Sequence, residues 1–162
     1  MNKIFLLILF TSFSLISYSQ NLSLTDIKYL FDHNIENCDS YLAKKNFYFM
    51  ESKDAKPGEP CSSTNWACKR NSSNNRAKAF IIKNCDGANE GFIFFQFADK
   101  NTFESIKSIC KMQGYKFVNK RTNVYGTVWF TFESKNYKIE FGSSLDDESN
   151  ENVYIITFEK NK

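Results

Sequence analysis

"YLAKKNFYF", Tyr41 to Phe49, and "ICKMQGYKF", Ile109 to Phe117, make the same transition twice. Each reads as the last turn of a helix. A residue that tolerates positive φ follows, Asn46 in one and Gly114 in the other. An aromatic–polar–aromatic strand then begins. A chain that writes so particular a passage twice reads as two copies of one unit.

The flanks extend the match. Upstream of Asn46, apolar residues at Leu24, Ile27, Phe31, Ile35, Cys38 and Leu42 keep spacings of three and four. That stripe predicts one helix from Leu24 to Lys45, capped by Ser23 with Asp26 in its first turn. Upstream of Gly114, Phe103, Ile106 and Cys110 predict a second helix from Thr102 to Gln113, capped by Asn101. Downstream of Asn46 come the strand-like runs "FYFMES", "TNWACKR", "KAFIIKN" and "GFIFFQF". After Gly114 come "YKFVNK", "TVWFTFES", "YKIEFGS" and "NVYIITFE". Ser134 to Asn136 reads as a tight hairpin turn. Each copy places a tryptophan in its second strand, Trp66 and Trp129. The fold class expected is α+β: two tandem helix-plus-four-strand repeats, about 23–99 and 100–160, sharing one antiparallel sheet with both helices on one face.

Matching the closing strands assigns Ile93, Phe95, Phe97, Tyr154, Ile156 and Phe158 to the helix side. The other side of an antiparallel sheet covered once is usually polar. Here the alternation sends Phe92, Phe94, Trp129 and Tyr125 outward instead. Aromatic clusters of this kind mark contact surfaces. The candidate partner-binding residues are Trp129, Tyr125, Trp66, Phe94 and Phe92, with Arg70 and Arg76 as a basic rim. The loop "KRNSSNNRAK", Lys69 to Lys78, supplies that rim, and a homodimer through the same face is a further possibility.

This layout, with its Asn46 and Gly114 stops and its alternating aromatics, resembles the bacterial β-lactamase inhibitor protein fold. It is also similar to compact periplasmic immunity proteins. The resemblance implies a partner, an enzyme or a toxin, blocked by the sheet. It rests on layout and carries no functional residue across.

The first residues set the compartment. Lys3, the apolar run "IFLLILFTSFSLI" and small residues at Ser17 and Ser19 read as a signal peptide over residues 1–19. One domain over 20–162 remains, exported to the periplasm or the medium, with no stable membrane insertion. Lysine-rich, asparagine-rich composition suits an AT-rich bacterial genome. The net charge of +3 falls by one with Lys3, too little for a dedicated nucleic-acid binder. Export permits disulfides, and five cysteines leave at least one outside an intramolecular pair. Cys61 and Cys68 flank a short segment and are the expected pair, with Cys38 and Cys110 on the helix stripes.

No metal or cofactor motif stands out. His33, the single histidine, leaves the apolar stripe and lacks a cysteine at ligand spacing. The acidic run from Asp146 to Glu151 lacks the alternation of a calcium loop and reads as a solvated hairpin. The function expected is an exported, non-enzymatic binding module of inhibitor or immunity type. The alternatives are a small secreted hydrolase and a self-associating envelope structural protein.

Overall fold

The computed structural model describes residues 22–59, 61–70, 77–146 and 150–161. The expected signal segment, Arg76, Asp147 and Glu148 lie outside the described residues. The first helical stripe forms two helices, α1 (Leu24–Asp32) and α2 (Ile35–Ala43). Ser23 and Asp26 close a capping box at the start of α1. The expected single helix breaks because the backbone is extended at His33 and Asn34. Asn34 then caps α2, its side chain accepting from the Asn37 amide at 3.1 Å. Asp86 accepts from the Ile35 amide at 2.8 Å. Two caps at one break outweigh the continuity of the stripe. The third helix, α3 (Lys100–Met112), starts earlier than expected because Asp99, not Asn101, caps it.

Eight strands follow the expected runs: β1 (Phe47–Lys53), β2 (Ser63–Arg70), β3 (Ala77–Asn84), β4 (Phe92–Phe97), β5 (Lys116–Thr122), β6 (Val128–Glu133), β7 (Tyr137–Leu145) and β8 (Asn152–Lys160). They form one antiparallel sheet in the order β1-β2-β3-β4-β8-β7-β6-β5. The edge strands β1 and β5 each leave a residue in positive φ, Asn46 at 61° and Gly114 at 83°. Each then breaks register three residues after that stop, just past Phe49 or Phe117.

One core joins the helices to the sheet. Ile93, Phe95 and Phe97 of β4 and Tyr154, Ile156 and Phe158 of β8 are all buried in it. From the helices come Ile27, Phe31, Cys38, Leu42, Phe103 and Ile106. The Phe31 ring meets Phe158 edge-on at 5.3 Å, and Phe103 meets Phe141 at 5.5 Å. Each such side chain, fully buried, contributes about 1.5–3 kcal/mol.

Lys83 enters this core unannounced. It is fully buried, and its Nζ donates to the Leu30 carbonyl at 2.9 Å and the Phe31 carbonyl at 3.3 Å. It thus places a cation at the C-terminal end of α1, where the helix dipole favours one. Burial pulls its pKa below the ordinary lysine value.

The disulfide joins Cys61 to Cys85, not to Cys68. Ser63 pairs with Asn84 across β2 and β3, so the residues just beyond that pair meet. Cys68 sits in the middle of β2, five extended residues past Ser63, and each carries the chain about 3.3 Å farther away. Among the described residues no helix is long and apolar enough to cross a membrane.

Candidate functional site

Strand alternation gives the sheet a second face, opposite the core residues. One row of it crosses all eight strands in register: Arg121, Trp129, Gly142, Ile155, Gln96, Phe80, Ala67 and Tyr48. The next row runs from Asn119 through Thr131, Glu140, Thr157, Phe94 and Ile82 to Asn65 and Glu51. Phe92 begins the third, between Asn84 and Glu159. Phe80, Ile82, Phe92, Phe94, Trp129 and Ile155 are each only half-buried. Charged pairs stand at the margins, Lys53 with Glu51 and Lys138 with Glu159. An apolar centre with a polar rim is the usual anatomy of a protein contact surface.

Trp129 has the most defined setting. Its indole lies across Gly142, so closely that a Cβ there would come within 2.9 Å of the ring. Glycine is what lets the ring lie flat on the sheet. The Arg121 guanidinium carbon stands 5.5 Å from the indole. Arg121 is itself held by Glu140 at 3.2 and 3.1 Å, and Glu140 accepts from Thr131 at 3.0 Å. A tryptophan and an arginine fixed side by side are favoured components of binding hot spots. Tyr125 is 85% exposed in the β5–β6 turn. There the Asn123 side chain accepts from the amides of Tyr125 and Thr127, and Gly126 takes φ of 77°.

The structure places Trp129, Phe92 and Phe94 on this face, with Tyr125 at its end. Trp66 must be withdrawn from the set. Only 1% of it is exposed, and its Nε1 donates to Asp39 at 2.9 Å. It pairs with Phe49 and Ile81 on the core side, whereas in the second half Phe132 pairs with Phe117. The two tryptophans are therefore not counterparts, and they lie on opposite faces. Arg70 ends β2 opposite Ala77, and its side chain is outside the described part, as is Arg76. Arg121 and Glu140 were missed. Their signal was alternation, since Asn119 and Arg121 share a phase on β5.

The thiols are poorly suited to nucleophilic chemistry. Burial pushes Cys38 up to about 11 and Cys110 up to about 12. Cys38 donates to the Leu30 carbonyl at 3.2 Å. His33 is half-buried, stacked on Tyr29 with its Nδ1–H donating to the Tyr29 carbonyl at 2.8 Å. A cavity of about 430 Å³ opens beside α2, edged by Glu36, Asp39, Asp86 and Phe49. Two of those carboxylates are engaged already, Asp39 by Trp66 and Asp86 by the Ile35 amide.

No family model, curated protein or solved structure matches this chain.

Proposed function

We propose that this chain is an exported, non-enzymatic binding protein that blocks another protein, an enzyme or a toxin, by covering it with the face that carries Trp129. The observation that carries the reading is the half-exposed apolar set of Trp129, Ile155, Phe80 and Phe94, in two neighbouring rows on the side of the sheet away from the core. Leaving rings of this size in contact with water is unfavourable unless a partner covers them.

The same reading treats the chain as a duplicated helix-and-sheet unit with its helices on the core side. In support, both edge strands start from a positive-φ residue and lose register at the same offset. The aromatic contacts of Phe31 and Phe103 both reach core-side residues of β8, Phe158 and Tyr154.

The test is capture from cell-envelope and culture-medium extracts with the intact protein and with Trp129→Ala/Tyr125→Ala. The expected outcome is one partner whose enzymatic or toxic activity falls on binding and which the double variant no longer retains. A partner held equally by both proteins would refute the assignment. Sedimentation that depends on concentration and is lost in the double variant would replace it with self-association.

A further inference from the structure

On the margin formed by α3 and the edge strand β5, three lysines gather, with Glu104 one turn before Lys107 on α3. Lys107 Nζ stands 4.0 Å from the Phe130 ring centroid, and Lys120 Nζ is 5.6 Å from the same ring. Lys111 Nζ is 5.9 Å from the Phe132 ring. Among the described residues none of the three has an ion-pair partner, whereas Lys45, Lys53, Arg121 and Lys138 all do. Three like charges held together over ring faces raise the local potential and cost stability unless an anion approaches.

The same margin is apolar at its surface. Of the nine large hydrophobic residues exposed among the described residues, five lie from Met112 to Tyr125, Phe117 and Val118 among them. β5 ends the sheet, so one side of its backbone makes no ladder. We propose that this margin docks an extended segment of the partner polypeptide that alternates acidic and apolar residues. This deepens the reading above and rests on it.

Three features select that occupant. The unpaired lysines call for carboxylates. Phe117 and Val118 call for apolar side chains beside them. The open edge offers alternating backbone donors and acceptors, which an extended polypeptide matches as a ladder, whereas a phosphate can only accept. The register break beside Val118 divides β5 and leaves residues 119–122 as its longest unbroken stretch. The docked segment is therefore short, and its side chains supply much of the affinity.

The test uses the full chain and fluorescence anisotropy of labelled probes. They are a short peptide alternating glutamate and valine, its lysine–valine counterpart, a single-stranded oligonucleotide, and phosphatidylglycerol vesicles. The acidic peptide is expected to bind best, and more weakly as salt rises. Lys107→Gln/Lys111→Gln/Lys120→Gln weakens it about tenfold, and Lys120→Glu alone acts in the same direction. Lys44→Gln/Lys56→Gln, at the β1 edge on the opposite side of the sheet, leaves it unchanged. Equal binding of the two peptides, tighter binding of the oligonucleotide or vesicles, or an unaffected triple variant overturns the proposal. A captured partner lost by Trp129→Ala but kept by the triple variant would overturn the margin alone and leave the sheet face standing.

Discussion

Replacing Lys83 by methionine is expected to leave the protein as stable as before, or to make it up to about 2 kcal/mol more stable. The expectation runs against the rule that buried hydrogen-bonded groups should be left alone, so its terms matter. Lys83 donates to the carbonyls of Leu30 and Phe31, and a hydrogen bond from a charged group contributes about 1.5–3 kcal/mol. Against this stands the burial of an ammonium, which costs several kcal/mol even after relaxation. Asp32, Asp86 and Glu90 offset part of that cost from nearby.

What decides the balance is the fate of the carbonyls. Leu30 keeps the Cys38 thiol as donor at 3.2 Å, and Phe31 keeps the Asn89 amide at 3.0 Å. Neither is orphaned in Lys83→Met, and methionine fills nearly the same space. Lys83→Ala empties that space and should be less stable than Lys83→Met by about 2–5 kcal/mol.

The pH dependence gives a second reading of the same group. Lys83 titrates below its unfolded value, because burial disfavours its charged form. Between the lowered pKa and 10.5 the unfolded chain binds more protons than the folded one, so stability from this group rises with pH. The advantage of Lys83→Met over the parent should therefore shrink by about 1.4 kcal/mol per pH unit across that window. The difference between the two proteins is the quantity to measure. Tyr41 and Tyr115, pushed up to about 12 by burial, remove stability above pH 10 in both. Urea denaturation at a series of alkaline pH values supplies both numbers. A loss of more than about 2 kcal/mol in Lys83→Met, or an advantage that grows with pH, would refute this account of the α1 terminus.

Three further outcomes follow from the sheet. The Cys61–Cys85 bond closes a loop of sequence separation 24, so reduction or Cys85→Ser should cost about 3–4 kcal/mol in urea denaturation. Peptide mapping of Cys68→Ala should still find Cys61 joined to Cys85, and a bond that vanishes in that variant would restore the Cys61–Cys68 pairing. Gly142→Ala forces a methyl into the Trp129 ring and should cost about 1–3 kcal/mol while shifting tryptophan emission to longer wavelength. Unchanged emission would mean that the indole does not rest on Gly142.

The inner strands β3, β4 and β8 were readable because they alternate, as FIFFQF and NVYIITFEK do, and their burial follows that phase. The two stops were readable because few residues other than asparagine and glycine adopt positive φ without strain. The helix break was hidden. The three-and-four stripe runs straight across His33 and Asn34, and the Asp86 carboxylate that helps to end it comes from a distant turn. The disulfide was hidden for a related reason. Nearness in sequence suggested Cys61 and Cys68, but an extended strand separates neighbours and brings together the ends of paired strands. Trp66 was misplaced by matching it to Trp129 instead of counting phase with Cys68, which shares its face. Lys83 left one trace, a lysine in phase with Ala79 and Ile81, which ordinary patterning assigns to a strand end in water.

The central claim is that the indole at 129 stays open to solvent until a partner covers it. In a Trp66→Phe background Trp129 is the remaining tryptophan, and iodide quenching of its fluorescence can be followed as captured partner is added. The account predicts ready quenching of the protein alone and strong shielding at saturation. Quenching that does not change with partner, or an indole already shielded without one, would contradict it.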